Sequence, residues 1–161
     1  VGRLSVETNV LTGLLGTIPR WRGTLSLFYK SERVRALNAL HRVGILAQSR
    51  QRASTLSGGQ QQRAAIARTL VQESEIIFAD EPVASLDPAS ADRVMKTLAD
   101  INSEDKATVL VSLHQIEYAL KYCKRIIALK EGKLIFDGHA TDTSPEFFAE
   151  LYGRSIDQDD T

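Results

Sequence analysis

Two stretches decide the architecture: Leu56-Ser57-Gly58-Gly59-Gln60-Gln61-Gln62-Arg63, and Ile76-Ile77-Phe78-Ala79-Asp80-Glu81-Pro82. In the first, a serine and two glycines precede a run with Ile66 and Leu70 on one side and Ala67 and Val71 beside them. That spacing predicts a helix from Ser57 to about Gln72. Glycines at a helix start let the backbone come close to a ligand, and the unbonded N–H groups there favour an anion such as phosphate. A glycine turn capped by serine gives the same pentapeptide. In the second stretch, an unbroken apolar run ends in two adjacent carboxylates. It predicts a short strand buried on both faces. Carboxylates at the C-terminal end of such a strand line the ligand crevice of open α/β sheets. Asp80 there suits Mg²⁺, held through water, and Glu81 suits the orientation or deprotonation of an attacking water. An exposed Asp-Glu-Pro turn is the plain alternative.

Working outward, Asp87-Pro88 is an N-cap followed by proline at the first helical position, and it predicts a helix to about Ile101. Thr108–Leu113 predicts a second buried strand, with His114 directly after it. Gln115–Tyr122 reads as a helix. Arg125–Leu129 and Lys133–Phe136 read as strands joined at Glu131-Gly132, and Ser144-Pro145 opens a last short helix. Asp157–Thr161 is polar and expected to fray. Before residue 56 the pattern is mostly helical, over Ser5–Leu15 and from Ser31-Glu32 onward. Gly16, Pro19 and Gly23 interrupt it, and Leu14–Lys30 carries no clear period. Strands alternating with helices predict an α/β domain with a mainly parallel sheet after a helical piece.

Composition narrows the function. The 161 residues are 43% hydrophobic and 25% charged, with 20 Lys and Arg against 20 Asp and Glu. A neutral chain is a poor electrostatic binder of nucleic acid. No apolar run approaches the ~20 residues of a membrane span, and the first residues show no signal-peptide pattern. The lone Cys123 excludes an internal disulfide framework and predicts a buried small hydrophobe on a helix. The only methionine is Met95, so Val1 is expected to lie inside a longer protein. The charges are segregated: residues 1–70 hold 11 Lys and Arg against 2 Asp and Glu, and residues 71–161 hold 9 against 18. The basic part suits an acidic partner or a membrane surface, or is a differently solvated face. Arg20-Trp21-Arg22 within it is a candidate partner contact or a solvated loop.

The order Leu56–Gln60, helix, Asp80-Glu81, Ser85-Leu86-Asp87, His114 resembles the nucleotide-binding domain of ATP-binding cassette (ABC) ATPases. The signature motif corresponds to Leu56–Gln60 extended through Arg63 and Ile66-Ala67-Arg68. The Walker B strand corresponds to Ile76–Glu81, the D-loop to Ser85–Asp87 and the switch histidine to His114. The words Gln51–Thr55, Ala84–Pro88, Leu113-His114-Gln115 and Tyr118–Cys123 look like the ATP-binding subunit of phosphonate importers. Importers of polar amino acids or other oxyanions are the near neighbours.

The resemblance implies a P-loop NTPase fold of the ABC type. Residues 1–56 would be its helical subdomain and residues 57–161 the C-terminal part of its RecA-like core. It implies ATP and Mg²⁺ as cofactors, with Asp80 on the metal and Glu81 and His114 catalytic. Ser57, Gly58, Gly59, Gln60 and Asp87 would meet nucleotide or partner across a head-to-tail dimer with a second ATP-binding subunit. It further implies transmembrane permease subunits as partners, a substrate-binding protein contacted indirectly, no nucleic acid, and a peripheral place on the cytoplasmic face of the inner membrane. The chain departs from the family in one respect: G-x-x-x-x-G-K-[ST] is absent, and the single Gly-Lys pair, Gly132-Lys133, is followed by Leu134. The phosphate cradle, the adenine-stacking aromatic and the Q-loop glutamine would lie ahead of Val1. The 161 residues alone are therefore expected not to hydrolyse ATP, to bind nucleotide feebly and to expose an apolar sheet edge. A non-transport ABC ATPase and a binding remnant without catalysis are the competing readings.

Overall fold

The computed structural model describes residues 2–152, so the polar tail Asp157–Thr161 lies outside the described residues. The chain forms two compact units, Val1–Val111 and Ser112–Thr161.

In the first unit, helix α1 (Val6–Leu11) starts at Ser5, whose hydroxyl accepts from the Thr8 N–H. Its first N–H groups are satisfied from a distant loop: Val6 donates to Gln51 O and Glu7 to Ser49 O, both at 2.9 Å. The predicted helix Ser5–Leu15 is shorter as an α-helix and continues as a 3₁₀ turn over Thr12–Gly16. Within that turn lies Gly13, where a Cβ would stand 2.3 Å from the Arg68 carbonyl, so the chain passes directly against α4 (Gly58–Leu70). The stretch without a period contains a short helix, α2 (Arg20–Thr24), followed by α3 (Lys30–Arg42). Arg22 of α2 turns inward and is only 5% exposed. Its guanidinium lies 3.6 Å over the Tyr29 ring and donates to Glu32 Oε2 at 2.7 Å and to Leu27 O at 3.0 Å. Of the triplet Arg20-Trp21-Arg22, the middle residue is the outward one, with Trp21 60% exposed.

Helix α4 (Gly58–Leu70) and helix α5 (Pro88–Glu104) follow the predicted starts. Ala91, Val94, Met95, Leu98 and Ile101 bury one face of α5 at helical spacing. Asp87 caps α5 by accepting from the Ser90 N–H at 2.9 Å. Hydrogen bonds from the Ser90 hydroxyl and N–H hold the Asp87 carboxyl below the usual carboxylate range. The core joins α1, α3, α4 and α5 through Val10, Leu11, Leu40, Ile66, Met95 and Ile101. Helical segments on both sides of residue 56 thus pack within one unit.

Strands β1 (Ile76–Asp80) and β2 (Thr108–Ser112) form a two-stranded sheet. The Thr108 N–H donates to Glu75 O at 2.8 Å, start against start, as in a parallel pair with α5 as the crossover. The expectation that β1 is buried on both faces is corrected. Ile77 is buried, but Ile76 is 54% and Phe78 76% exposed, and Leu110 of β2 is exposed too. Ile76, Phe78 and Leu110 thus leave large apolar side chains open to water.

In the second unit, α6 (Ile116–Tyr122) precedes the antiparallel hairpin β3 (Arg125–Lys130) and β4 (Lys133–His139), and α7 (Pro145–Tyr152) follows. The hairpin turn Glu131-Gly132 has φ of +52° and +74°, the left-handed pair that a two-residue turn requires. Phe136, Phe147 and Phe148 meet edge to face, with centroids 5.2 to 6.3 Å apart. Cys123 ends α6, half-buried against this cluster, and burial pushes its thiol pKa up. Of the two pairs, therefore, β1–β2 is parallel and β3–β4 antiparallel. Among the described residues no helix is long and apolar enough to cross a membrane.

Two expectations follow. Leu40→Ala, at a fully buried position, costs about 2–5 kcal/mol in urea unfolding, whereas Phe78→Ser costs less than about 1 kcal/mol and lowers self-association in light scattering. A Phe78→Ser variant as aggregation-prone as the parent would show that the open face is not the cause. Second, Asp87→Ala speeds amide exchange in the first turn of α5. A depressed native carboxyl stabilises above its unfolded pKa and loses that effect as pH falls through the native value. The difference between variant and parent is therefore full near neutrality and vanishes in strong acid.

Candidate functional site

The first turn of α4 is closed by a reciprocal pair. Ser57 Oγ accepts from the Gln60 N–H at 3.4 Å, and Gln60 Oε1 accepts from the Ser57 N–H at 2.9 Å. Gln61 Nε2 donates to Leu56 O at 2.9 Å, which ties the preceding loop to the same turn. Ser57 and Gly58 are exposed, Gln60 is half-buried and Gly59 is buried. The N–H groups of Gly58 and Gly59 stand at the positive end of a 13-residue helix. Farther along, Arg63 Nη1 donates to Val43 O at 3.2 Å and Gly44 O at 3.3 Å, so the end of α3 and the start of α4 are held by one side chain. Sequence reading quoted Arg63 as part of the motif and assigned it no contact.

Asp80 is the last residue of β1 and Glu81 the first beyond it, and both are exposed. Being exposed, the two adjacent carboxylates carry little desolvation cost. Glu81 has φ +44°, a left-handed conformation that non-glycine residues rarely hold, and Ser85 follows at +64°. Between them Pro82 and Val83 are buried. The Ala84 N–H donates to Glu81 O at 3.1 Å, which closes the turn. Buried Val83 anchors the loop, so the left-handed residues fix where the carboxylates leave the strand. The loop ends in Leu86 and the cap residue Asp87. No group of three or more acidic, His or Cys side chains that could hold a metal occurs among the described residues. Mg²⁺ needs only one or two protein carboxylates beside water and phosphate oxygens, and the exposed Asp80-Glu81 pair fits that demand.

The two helix starts meet. A Cβ on Gly58 would lie 3.3 Å from Leu86 Cδ2, and one on Gly59 would lie 2.8 Å from Ser90 Cβ. Ser57–Gln60 and Leu86–Ser90 are thus neighbours in space although some 30 residues separate them. His114 follows β2 after Leu113 and is exposed; it belongs to the second unit, while the other candidates belong to the first.

Comparison with known proteins gives this arrangement its context. The ABC transporter family model matches residues 2–84. A phosphonates import ATP-binding protein of Pseudomonas syringae pv. syringae is 60% identical over 157 residues, covering 98% of this chain and 57% of the relative. Its counterpart in Maricaulis maris is 52% identical, covering 98% and 60%. The chain thus spans about half the length of the curated relatives it matches. Among solved structures, an inward-facing metal-chelate type ABC transporter superposes with TM-score 0.82 at 26% identity, over 93% of this chain and 58% of that one. A dimeric ATP-binding cassette in a post-hydrolysis state, bound to ADP and Pi, superposes at 0.72 with 34% identity, over 87% and 58%. With the family model over more than half its length and the same fold in solved cassettes, the chain belongs to the ABC transporter family.

Proposed function

We propose that these residues form part of the ATP-hydrolysing subunit of an ABC importer, with phosphonate as the transported class. The observation that carries the reading is 60% identity to a phosphonates import ATP-binding protein across 98% of the chain. ATP and Mg²⁺ are the cofactors. The subunit works as a head-to-tail pair with a second copy and docks on permease subunits at the cytoplasmic face of the inner membrane, with a substrate-binding protein delivering cargo to the permease. Residues 1–56 act as the helical subdomain and residues 57–161 as the C-terminal part of the catalytic core. The basic charge of residues 1–70, and the exposed Trp21, Leu25, Leu27 and Tyr29 among them, support the permease-facing role.

The roles follow from chemistry. Phosphoryl transfer depends on positioning and charge stabilisation. Asp80 would hold Mg²⁺, which would supply charge neutralisation on the phosphates. Glu81 orients the attacking water and takes its proton. Its left-handed backbone, anchored by buried Pro82 and Val83, holds the carboxylate where the strand ends. His114 hydrogen-bonds the γ-phosphate and holds the water geometry. Ser57, Gly58, Gly59 and Gln60 present hydroxyl, N–H and amide donors to the γ-phosphate of nucleotide bound on the partner subunit. Asp87 meets the partner across the interface.

In a complete subunit, Glu81→Gln is expected to lower ATPase turnover by about 10²–10⁴-fold while nucleotide binding persists. Full turnover in that variant would remove Glu81 from its role. Growth on a phosphonate as sole phosphorus source, restored by the parent and not by Glu81→Gln, checks the transported class. Restored uptake of a polar amino acid or another oxyanion instead would reassign it.

A further inference from the structure

The glycine pair in Ser57-Gly58-Gly59-Gln60 invites one explanation for both members: an uncovered backbone for phosphate. The two positions differ. A Cβ on Gly58 meets only the far methyl of Leu86, at 3.3 Å, and that methyl can swing aside. A Cβ on Gly59 meets Ser90 Cβ at 2.8 Å and Ser90 Oγ at 2.9 Å. Rotating the Ser90 side chain moves Oγ but leaves Cβ in place, so only a backbone shift relieves the clash. The Ser90 Cα is 3.9 Å away, ordinary contact. Gly59 is buried, whereas Gly58 is exposed.

Ser90 also carries the start of α5. Its N–H donates to Asp87 Oδ1 at 2.9 Å, and its hydroxyl bonds the same carboxylate. Pushing Ser90 away therefore moves the cap of α5 with it. One turn on, Arg63 lies on the same face of α4 as Gly59; its Nε donates to Gly59 O at 3.4 Å and its Nη1 reaches the Val43 and Gly44 carbonyls. The Gly59 carbonyl is thus bonded to a side chain that is itself anchored on the end of α3, which limits how far the α4 start can yield.

We propose that Gly59 is a positioning residue: it is glycine because Ser90 occupies the space of its side chain, and this contact locks Ser57–Gln60 and Asp87 into one rigid element. The inference rests on the nucleotide and partner roles given to those residues above. It assigns the requirement at Gly59 to packing within the chain rather than to approach of a phosphate. Gly59 and Ser90 then move together, so a displacement at one motif is felt at the other.

A double-mutant cycle in a complete subunit tests this, with G59A, S90G and G59A/S90G compared for thermal unfolding midpoint and ATPase rate. G59A alone is expected to lower the midpoint by about 2–8 °C and the rate by about tenfold or more. In the S90G background, the same substitution is expected to cost less than about a third of each loss. A midpoint relieved by S90G with an unrelieved ATPase loss would assign Gly59 to the phosphate and overturn the positioning role. Equal costs in both backgrounds, or no cost from G59A, would overturn the contact itself. Absence of ATPase in the parent subunit would overturn the proposed function, while the midpoints would still decide whether Ser90 sets the residue at 59.

Discussion

The first turns of α4 and α5 approach until no side chain fits at position 59, and the motifs on either side of β1 are placed by that contact. It brings Leu56–Gln60 beside Leu86–Ser90 while β1 and its loop connect them. The loop must then turn sharply within the eight residues from Asp80 to Asp87. It does so with left-handed Glu81 and Ser85 and with Pro82 and Val83 buried. Left-handed conformations at non-glycine residues persist only where surrounding packing over-determines them. Here buried Val83 and the capped start of α5 supply that packing, and the exposed carboxylates emerge in a defined direction.

The sheet shows a second constraint. Ile76 and Phe78 have strand propensity and an apolar character that alternate faces would both bury, yet only Ile77 and its side of β1 are covered. An apolar strand with an open face is tolerated where the opposite face is buried, as it is at Ile77. The open face nonetheless exposes large side chains to water and makes association favourable.

The helix starts at Ser57 and Asp87 and the strand ending at Asp80 were legible because each depends on neighbours within a few residues: a cap, a proline, an apolar run ended by charge. The hairpin at Glu131-Gly132 was legible for the same reason. Arg22 was not. A cation in a polar triplet reads as solvated, and only the Tyr29 ring, Glu32 and the Leu27 carbonyl explain its burial. The close approach of Gly13 to the Arg68 carbonyl was hidden too, because it joins residues 55 apart in sequence.

From residue 57 onward the order and type of the elements, and throughout the chemical identity of the candidate side chains, were determined by sequence alone, since spacing and local hydrogen-bonding capacity set them. The family followed from those motifs in their order. Tertiary structure decided which faces are buried, why position 59 must be glycine, where Arg22 and Arg63 reach, and how the Glu81 backbone is held. These depend on atoms brought together from distant parts of the chain, and close packing at distances below 4 Å leaves no trace in the periodicity of either segment.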